Sequence, residues 1–285
     1  RDLTEIRRRQ NCVSEFSTLP VVVDDVAGIL KRGSDLERIL GRLRNRLVRP
    51  RELGGLRATL RGLPGIRKTL EEVGGANKAI EALALKVETF DSLRALLEKA
   101  LEEELPADIK VDVKGEGGRV IRTGFDEHFD ELRELGRGGK RWILELEASE
   151  REKTGISNLK VKYNGAFGYF IEVTKANLHL VPEHYVRKQT MTNAERFYTE
   201  ELRQKEKEIV NAEERAVAKE QELFLQVVEH ALEHADELAR TAEVLSEIDL
   251  FSSWGAMMRD RDYCIPEFVE DSSVLEIEQG RHPVV

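Results

Sequence analysis

The side chains best placed to do chemistry lie in residues 153–196. Seven basic residues fall there (Lys153, Lys160, Lys162, Lys175, Arg187, Lys188 and Arg196) against three acids, Glu172, Glu183 and Glu195. That segment therefore carries +4 within a chain whose formal net charge is −9. Ammonium and guanidinium groups gathered on one surface bind phosphate, neutralising it and releasing its counterions. Lysines on a small sheet also act as solvated edge residues that keep strands from pairing with other chains, and the residues alone leave both readings open. The negative total excludes a general polyanion binder, so any contact has to come from a local patch. Tyr163, Tyr169 and Tyr185 fall on the apolar side of the pattern, which leaves no stacking platform for bases. What remains is backbone contact, which positions a protein without reading sequence.

Other constellations are incomplete. His230 and His234 stand four apart on a helical stretch, but no HExxH pattern or nearby cysteine completes a metal set. Gly62–Lys68 (GLPGIRK) has the wrong spacing for a phosphate loop, and Glu200-Glu201 reads as helix-start charge. No catalytic residue and no metal ligand is assigned. Cys12 and Cys264 lie far apart and outside any CxxC spacing, so two reduced thiols are expected. No apolar run approaches the roughly 20 residues that span a bilayer, and no signal peptide is legible. The expectation is a cytoplasmic protein without membrane contact.

The elements that must hold the basic segment are helical. Charged residues make up 35% of the 285-residue chain and aromatics 6%, a balance of long solvated helices. Apolar spacing predicts helices over 3–16, 24–32 and 34–47, the third capped by Ser34 with a stripe of Leu36, Ile39, Leu40, Leu43 and Leu47. Further helices are expected from 51 to 63, with Pro64 either breaking that helix or starting the next, then over 66–73, 77–86 and 90–104. Residues 106–124 read as a loop or short hairpin. A helix opening at Phe125, with Leu135 inward, is interrupted at Gly136–Gly139 and resumes over 142–153 with Ile143, Leu144 and Leu146 inward. The glycine run is a candidate flex point.

The basic segment itself alternates. Leu159, Val161 and Tyr163 interleave with Lys160 and Lys162, Asn164-Gly165 signals a hairpin, and Tyr169–Lys175 and Tyr185–Thr190 are further extended runs. Thr199 caps a helix that meets no Pro or Gly until after Ile248, about 75 Å if continuous. Leu202, Ile209, Ala216 and Leu223 repeat every seven residues, a seam suited to one antiparallel partner. Trp254, Met257 and Met258 extend its buried part, and 263–285 reads as strands and turns. The pattern is a small β tip between two helical arms.

Several blocks, DLERILGRL with RPREL (35–43, 49–53), GGRVIRTGFDEHFDELREL (117–135), the long run from Glu150 to Phe197 and IEQGRHPVV (277–285), together resemble the MutS family of DNA mismatch-repair proteins over nearly the whole chain. The resemblance implies a mainly α fold: a helical core or lever domain, with a small β-rich clamp domain inserted between two long antiparallel helices. It divides the chain into lever (1–146 and 207–276), clamp (147–206) and the opening of an ATPase domain (277–285). It implies double-stranded DNA as partner, gripped by its backbone, with Lys160, Lys162, Lys175, Arg187, Lys188 and Asn193 near phosphate and Gly165 and Gly168 shaping the hairpin.

The mismatch-reading domain and the ATPase motifs of the family are missing from these residues. This stretch is therefore expected to be no enzyme and to need no cofactor, while a longer parent would use ATP and Mg as a homodimeric, nucleoid-associated bacterial ATPase. Two other readings stand beside the clamp: a purely mechanical scaffold whose tip binds nothing measurable, and a coiled-coil dimerisation module built on the 202–223 seam.

Overall fold

A computed structural model describes residues 2–109, 119–165, 167–268 and 274–281. It contains nine α-helices and one four-stranded sheet among the described residues. They divide into two compact units, one of 1–42, 55–91 and 234–285, the other of 43–54 and 92–233.

In the first unit α1 (Leu3–Ser17), α2 (Pro20–Leu30), α5 (Lys78–Ala84) and α9 (Ala235–Arg261) pack together. Asp2 caps α1 by accepting from the Thr4 amide at 2.9 Å, and Pro20 opens α2, where its missing N–H costs nothing. The start of α5 has no cap of its own. The Glu15 carboxylate of α1 takes that place, accepting from the Ala79 amide at 3.1 Å and the Ile80 amide at 2.8 Å. Phe16 and Phe251 are wholly buried, and Gly255 lies so close to α1 that a Cβ there would stand 2.8 Å from that of Phe16. The stripe of α9 runs Leu238, Ala242, Leu245, Ile248 and Phe251. Trp254, expected inside, is 48% exposed because the three- and four-residue spacing has carried the buried face past it to Gly255.

Helix α3 (Leu36–Arg44) is capped by Asp35, which accepts from the Arg38 amide at 3.0 Å, and not by Ser34, whose own amide donates to Thr59 Oγ1. It ends before Leu47, since Arg46 turns into the left-handed region at φ 53° and leaves Leu47 exposed. Helix α4 (Pro50–Gly74) runs straight through Pro64, where a break was expected. Leu53, Leu56, Leu60, Leu63, Ile66 and Leu70 form one buried stripe across it, and packing of that stripe outweighs the hydrogen bond that Pro64 removes. Helix α6 (Asp91–Ala100) leads to a single antiparallel bridge between Leu101 and Ile121. The centre of the expected 106–124 hairpin, 110–118, and the final residues 282–285 lie outside the described residues. Val274, Leu275 and Ile277, expected in a strand, are exposed and unpaired with any sheet.

The second unit is built on α7 (Glu127–Thr154) and α8 (Glu200–Glu233) with the sheet between them in sequence. Asp126 caps α7 through the Phe129 amide at 2.8 Å. The helix is not interrupted at Gly136–Gly139: Gly136 and Gly139 are buried against α8, where a Cβ on Gly139 would overlap Ile209. Lys140 pairs with Glu213 at 2.8 Å and Lys205 stands 6.0 Å from the Trp142 ring, so numbering falls on α8 as it rises on α7 and the pair is antiparallel. Leu135 and Leu144 point to solvent at 64% and 70% exposure, displaced from the inner face by the glycines and by Ile143 and Leu146. Thr199 caps α8 as expected, accepting from the Leu202 amide at 3.1 Å. The expected single long helix is two. His234 leaves helical geometry at ψ 8° although no Gly or Pro is present, with its Nδ1 3.1 Å from Glu237 and the Phe90 ring at its edge.

Candidate nucleic-acid interface

Strands β1 (Lys160–Asn164), β2 (Gly168–Thr174), β3 (Val186–Thr190) and β4 (Ala194–Tyr198) form an antiparallel sheet in the order β1-β2-β4-β3. Strand alternation gives it two faces. The inner face carries Val161, Tyr163, Tyr169, Ile171, Val173 and Phe197. It packs with Ile143 and Leu146 of α7 and Leu202 and Ile209 of α8 into one apolar cluster. Burying these β-branched and aromatic groups fixes the register, since a slip of one residue would turn the whole set outward.

Carboxylates from the helices then tie the sheet down. Glu147 accepts from the Val161 amide of edge strand β1 at 2.7 Å and also pairs with Arg151, whose Nε donates to the Leu159 carbonyl. Glu206 of α8 accepts from the Tyr169 amide at 2.9 Å. It reaches that amide only because residue 168 is glycine: Gly168 has φ 71°, and a Cβ there would overlap the Glu206 carboxylate. Glu150 is buried and accepts from the Tyr185 hydroxyl and from Lys153 at 2.9 Å. Burial pushes the Glu150 carboxyl up, but the Tyr185 and Lys153 hydrogen bonds outweigh it and hold the group below its ordinary value. Burial raises the Tyr169 phenol to about 12, so it stays a neutral core group.

The outer face holds Lys160, Lys162, Phe170, Glu172, Arg196 and Tyr198. Lys160 lies opposite Glu172 across the β1–β2 pair and is exposed, with no ion pair among the described residues. Lys162 Nζ bonds Glu172 Oε1 at 2.6 Å. Arg196 lies with its guanidinium 4.2 Å from the centroid of Phe170, which is 2% exposed, and donates to Gln189 Oε1 at 2.8 Å. Its Nε is 3.5 Å from Glu172 Oε2. The Lys162 hydrogen bond outweighs burial and, with the positive fields of Lys162 and Arg196 adding to it, holds the Glu172 carboxyl below its usual range. Three cations, Lys160, Lys162 and Arg196, therefore flank one carboxylate, and Lys188 stands apart from it, its ammonium 3.5 Å from the Tyr169 carbonyl. That lysine is the extra residue where the β3–β4 register shifts, and its ammonium sits 5.7 Å from the Tyr198 ring.

The remaining sequence candidates are placed apart from this group. Lys175 is exposed at the start of the 3-10 turn Lys175–Leu180, and its amide donates to the Asn193 carbonyl at 3.1 Å, so Lys175 and Asn193 adjoin at one end of the sheet. Arg187 shares the inner face with Phe197 and stands 2.7 Å from the buried carboxylate of Glu195, serving it as counter-ion. Strand β4 was missed in the sequence, and with it the central position of Arg196. Its signal is the alternation over Ala194–Tyr198, in which Glu195 and Phe197 turn in while Arg196 and Tyr198 turn out. Asn164-Gly165 does begin the hairpin loop, with the Phe167 amide donating to Asn164 O at 3.0 Å.

The other candidate chemistry is not assembled. His230 pairs with Glu233 and His234 with Glu237, and no cluster of metal-ligating side chains occurs among the described residues. Cys12 is buried and Cys264 exposed, both as thiols. No described helix is long and apolar enough to cross a membrane.

Residues 124–215, which hold all of α7, the sheet and about the first half of α8, match MutS family domain IV. Across the whole chain, the DNA mismatch repair protein MutS of Thermodesulfovibrio yellowstonii is 38% identical over 294 residues, covering 100% of this chain and 32% of that protein. The MutS of Clostridium botulinum (strain Loch Maree) is 38% identical over 283 residues, with 99% and 29% covered. That of Symbiobacterium thermophilum is 39% identical over 284 residues, with 100% and 31% covered. The chain thus spans about a third of the length of these curated relatives. A mainly α chain with an antiparallel sheet set between two long helices, a domain IV match over that sheet and end-to-end similarity to these relatives place the chain in the MutS family.

Proposed function

We propose that the sheet is a clamp that grips the phosphate backbone of double-stranded DNA without reading its sequence, and that the helices are a lever joining it to an ATPase domain outside these residues. The proposed division is lever over 1–146 and 207–276, clamp over 147–206, and the opening of the ATPase domain from 277. The observation that carries this reading is the outer face: Lys160, Lys162 and Arg196 around Glu172, with Lys188 by Tyr198 farther along the sheet, on the segment that matches domain IV. Lys175 and Asn193 extend the surface at one end, while Arg187, on the inner face with Glu195, stands outside this group. The longer protein would bind ATP and Mg elsewhere, work as a homodimer in the bacterial cytoplasm on the nucleoid, and leave this stretch without catalytic chemistry of its own.

A purely mechanical scaffold is the second reading. It draws support from Lys162 and Arg187, whose charges are already matched by Glu172 and Glu195. Fluorescence anisotropy of the 285-residue chain with a homoduplex and a single-mismatch duplex across a salt series separates the two. Equal, salt-sensitive binding to both duplexes, lost in the Lys160→Glu, Lys188→Glu double variant, is the expected result. No binding at low salt would leave the scaffold, and preference for the mismatch would contradict a backbone clamp.

A further inference from the structure

We infer that Glu172 is an internal competitor for phosphate, an autoinhibitory carboxylate that occupies the outer-face cation site and sets how tightly and how salt-dependently the sheet holds DNA. The inference rests on the proposed clamp function. A carboxylate and a phosphate oxygen present the same kind of acceptor to an ammonium or a guanidinium. Glu172 is placed where such an acceptor is wanted: on central strand β2, with Lys160 opposite it on β1 and Arg196 opposite it on β4.

Its two oxygens are divided between two cations. Oε1 takes the Lys162 ammonium at 2.6 Å, and Oε2 lies 3.5 Å from Arg196 Nε. The second contact is an ion pair without a hydrogen bond, and the buried Nε–H of Arg196 has no hydrogen-bond acceptor among the described residues. The Arg196 plane is fixed on its other sides by Phe170 and by Gln189, so the guanidinium is held in place while one donor stays unused. A phosphate arriving at this face meets a preset guanidinium and two lysines, with one carboxylate to displace. Release of Lys162 from Glu172 is the step that frees the site.

The inner-face pair of Arg187 and Glu195 differs in kind. Its carboxylate is buried against the core, so removing it would unbalance the fold, whereas Glu172 keeps partial access to solvent. Glu172→Gln preserves shape and an acceptor oxygen for Lys162 while removing the charge.

The test compares wild type, Glu172→Gln and Glu183→Gln, a like charge change at an exposed turn position, in homoduplex anisotropy over a salt series, with far-ultraviolet circular dichroism to verify folding. Glu172→Gln should bind about two- to fivefold more tightly at moderate salt, and its log K against log salt slope should steepen by roughly one phosphate contact. Adding Lys162→Ala to Glu172→Gln should remove the gain. Equal gains in Glu172→Gln and Glu183→Gln would reduce the effect to net charge and overturn the inference, as would weaker binding by Glu172→Gln. If wild type binds DNA and Glu172→Gln binds identically, the inference fails and the clamp stands. If no variant binds at any salt, the clamp reading itself fails.

Discussion

Gly139 of α7 lies against Ile209 of α8 with no space for a side chain, because a Cβ at 139 would overlap the Ile209 Cγ1 and crowd its Cδ1. One residue away, Gly138 has open space around its missing Cβ. Two neighbouring glycines in the same helix therefore have different reasons to be there. Gly139 sets how closely the two long helices approach, while Gly138 only weakens the helix it sits in.

Substitution by alanine should separate them. Gly139→Ala forces the helices apart or pushes Ile209 off its rotamer, at about 1–3 kcal/mol. Gly138→Ala should stabilise the chain by about 0.5–1 kcal/mol, since helical φ and ψ suit alanine and the unfolded chain loses freedom. Urea unfolding followed by circular dichroism reads both signs. A neutral Gly139→Ala would show a looser helix contact, and a destabilising Gly138→Ala would show that position 138 is crowded rather than open.

Acid sensitivity should depend on Tyr185. The Glu150 carboxyl is held below its ordinary value in the folded chain, burial being outweighed by the hydrogen bonds from Tyr185 and Lys153. A depressed carboxyl stabilises the fold above the unfolded-state pKa, and that contribution is lost as pH falls through the folded-state pKa. Tyr185→Phe removes the donor and leaves a buried carboxylate less satisfied, costing about 1–3 kcal/mol near neutral pH. The gap between wild type and variant should close as pH falls below the carboxylate range. Urea midpoints at neutral and acid pH measure it, and a gap that stays constant would remove Glu150 from the account.

The two thiols should react unequally. Burial pushes the Cys12 thiol up to about 11, while Cys264 is exposed. A disulfide reagent at neutral pH should titrate Cys264 in the native chain and Cys12 only after denaturant is added, because the thiolate is the attacking species. A Cys264→Ser variant that still reacts rapidly when folded would place Cys12 in a more open environment than this fold gives it.

Much of this arrangement was legible in the residues themselves. Leucine stripes, the Thr199 cap, the Lys160–Tyr163 alternation and the Asn164-Gly165 loop start are local signals, carried by periodicities of 3.6 and 2 that need no partner to be read. The inversion of charge between 153 and 196 is equally a property of sequence, and it marked the surface on which the proposed function rests. Tertiary packing decided the rest. Pro64 and Gly136–Gly139 look like breaks because their local propensities are poor, yet each lies in an unbroken helix where a buried stripe or a facing helix outweighs propensity. His234 has no breaker chemistry and still ends a helix. Arg196 became central only once β4 paired with β2 and set it beside Glu172 and over Phe170, whereas Arg187 was turned inward to Glu195 by the β3–β4 pairing. Which cations share a face depends on strand register. Register is fixed by burying Tyr169, Ile171, Val173 and Phe197 against α7 and α8, a contact between residues far apart in the chain that no local pattern contains.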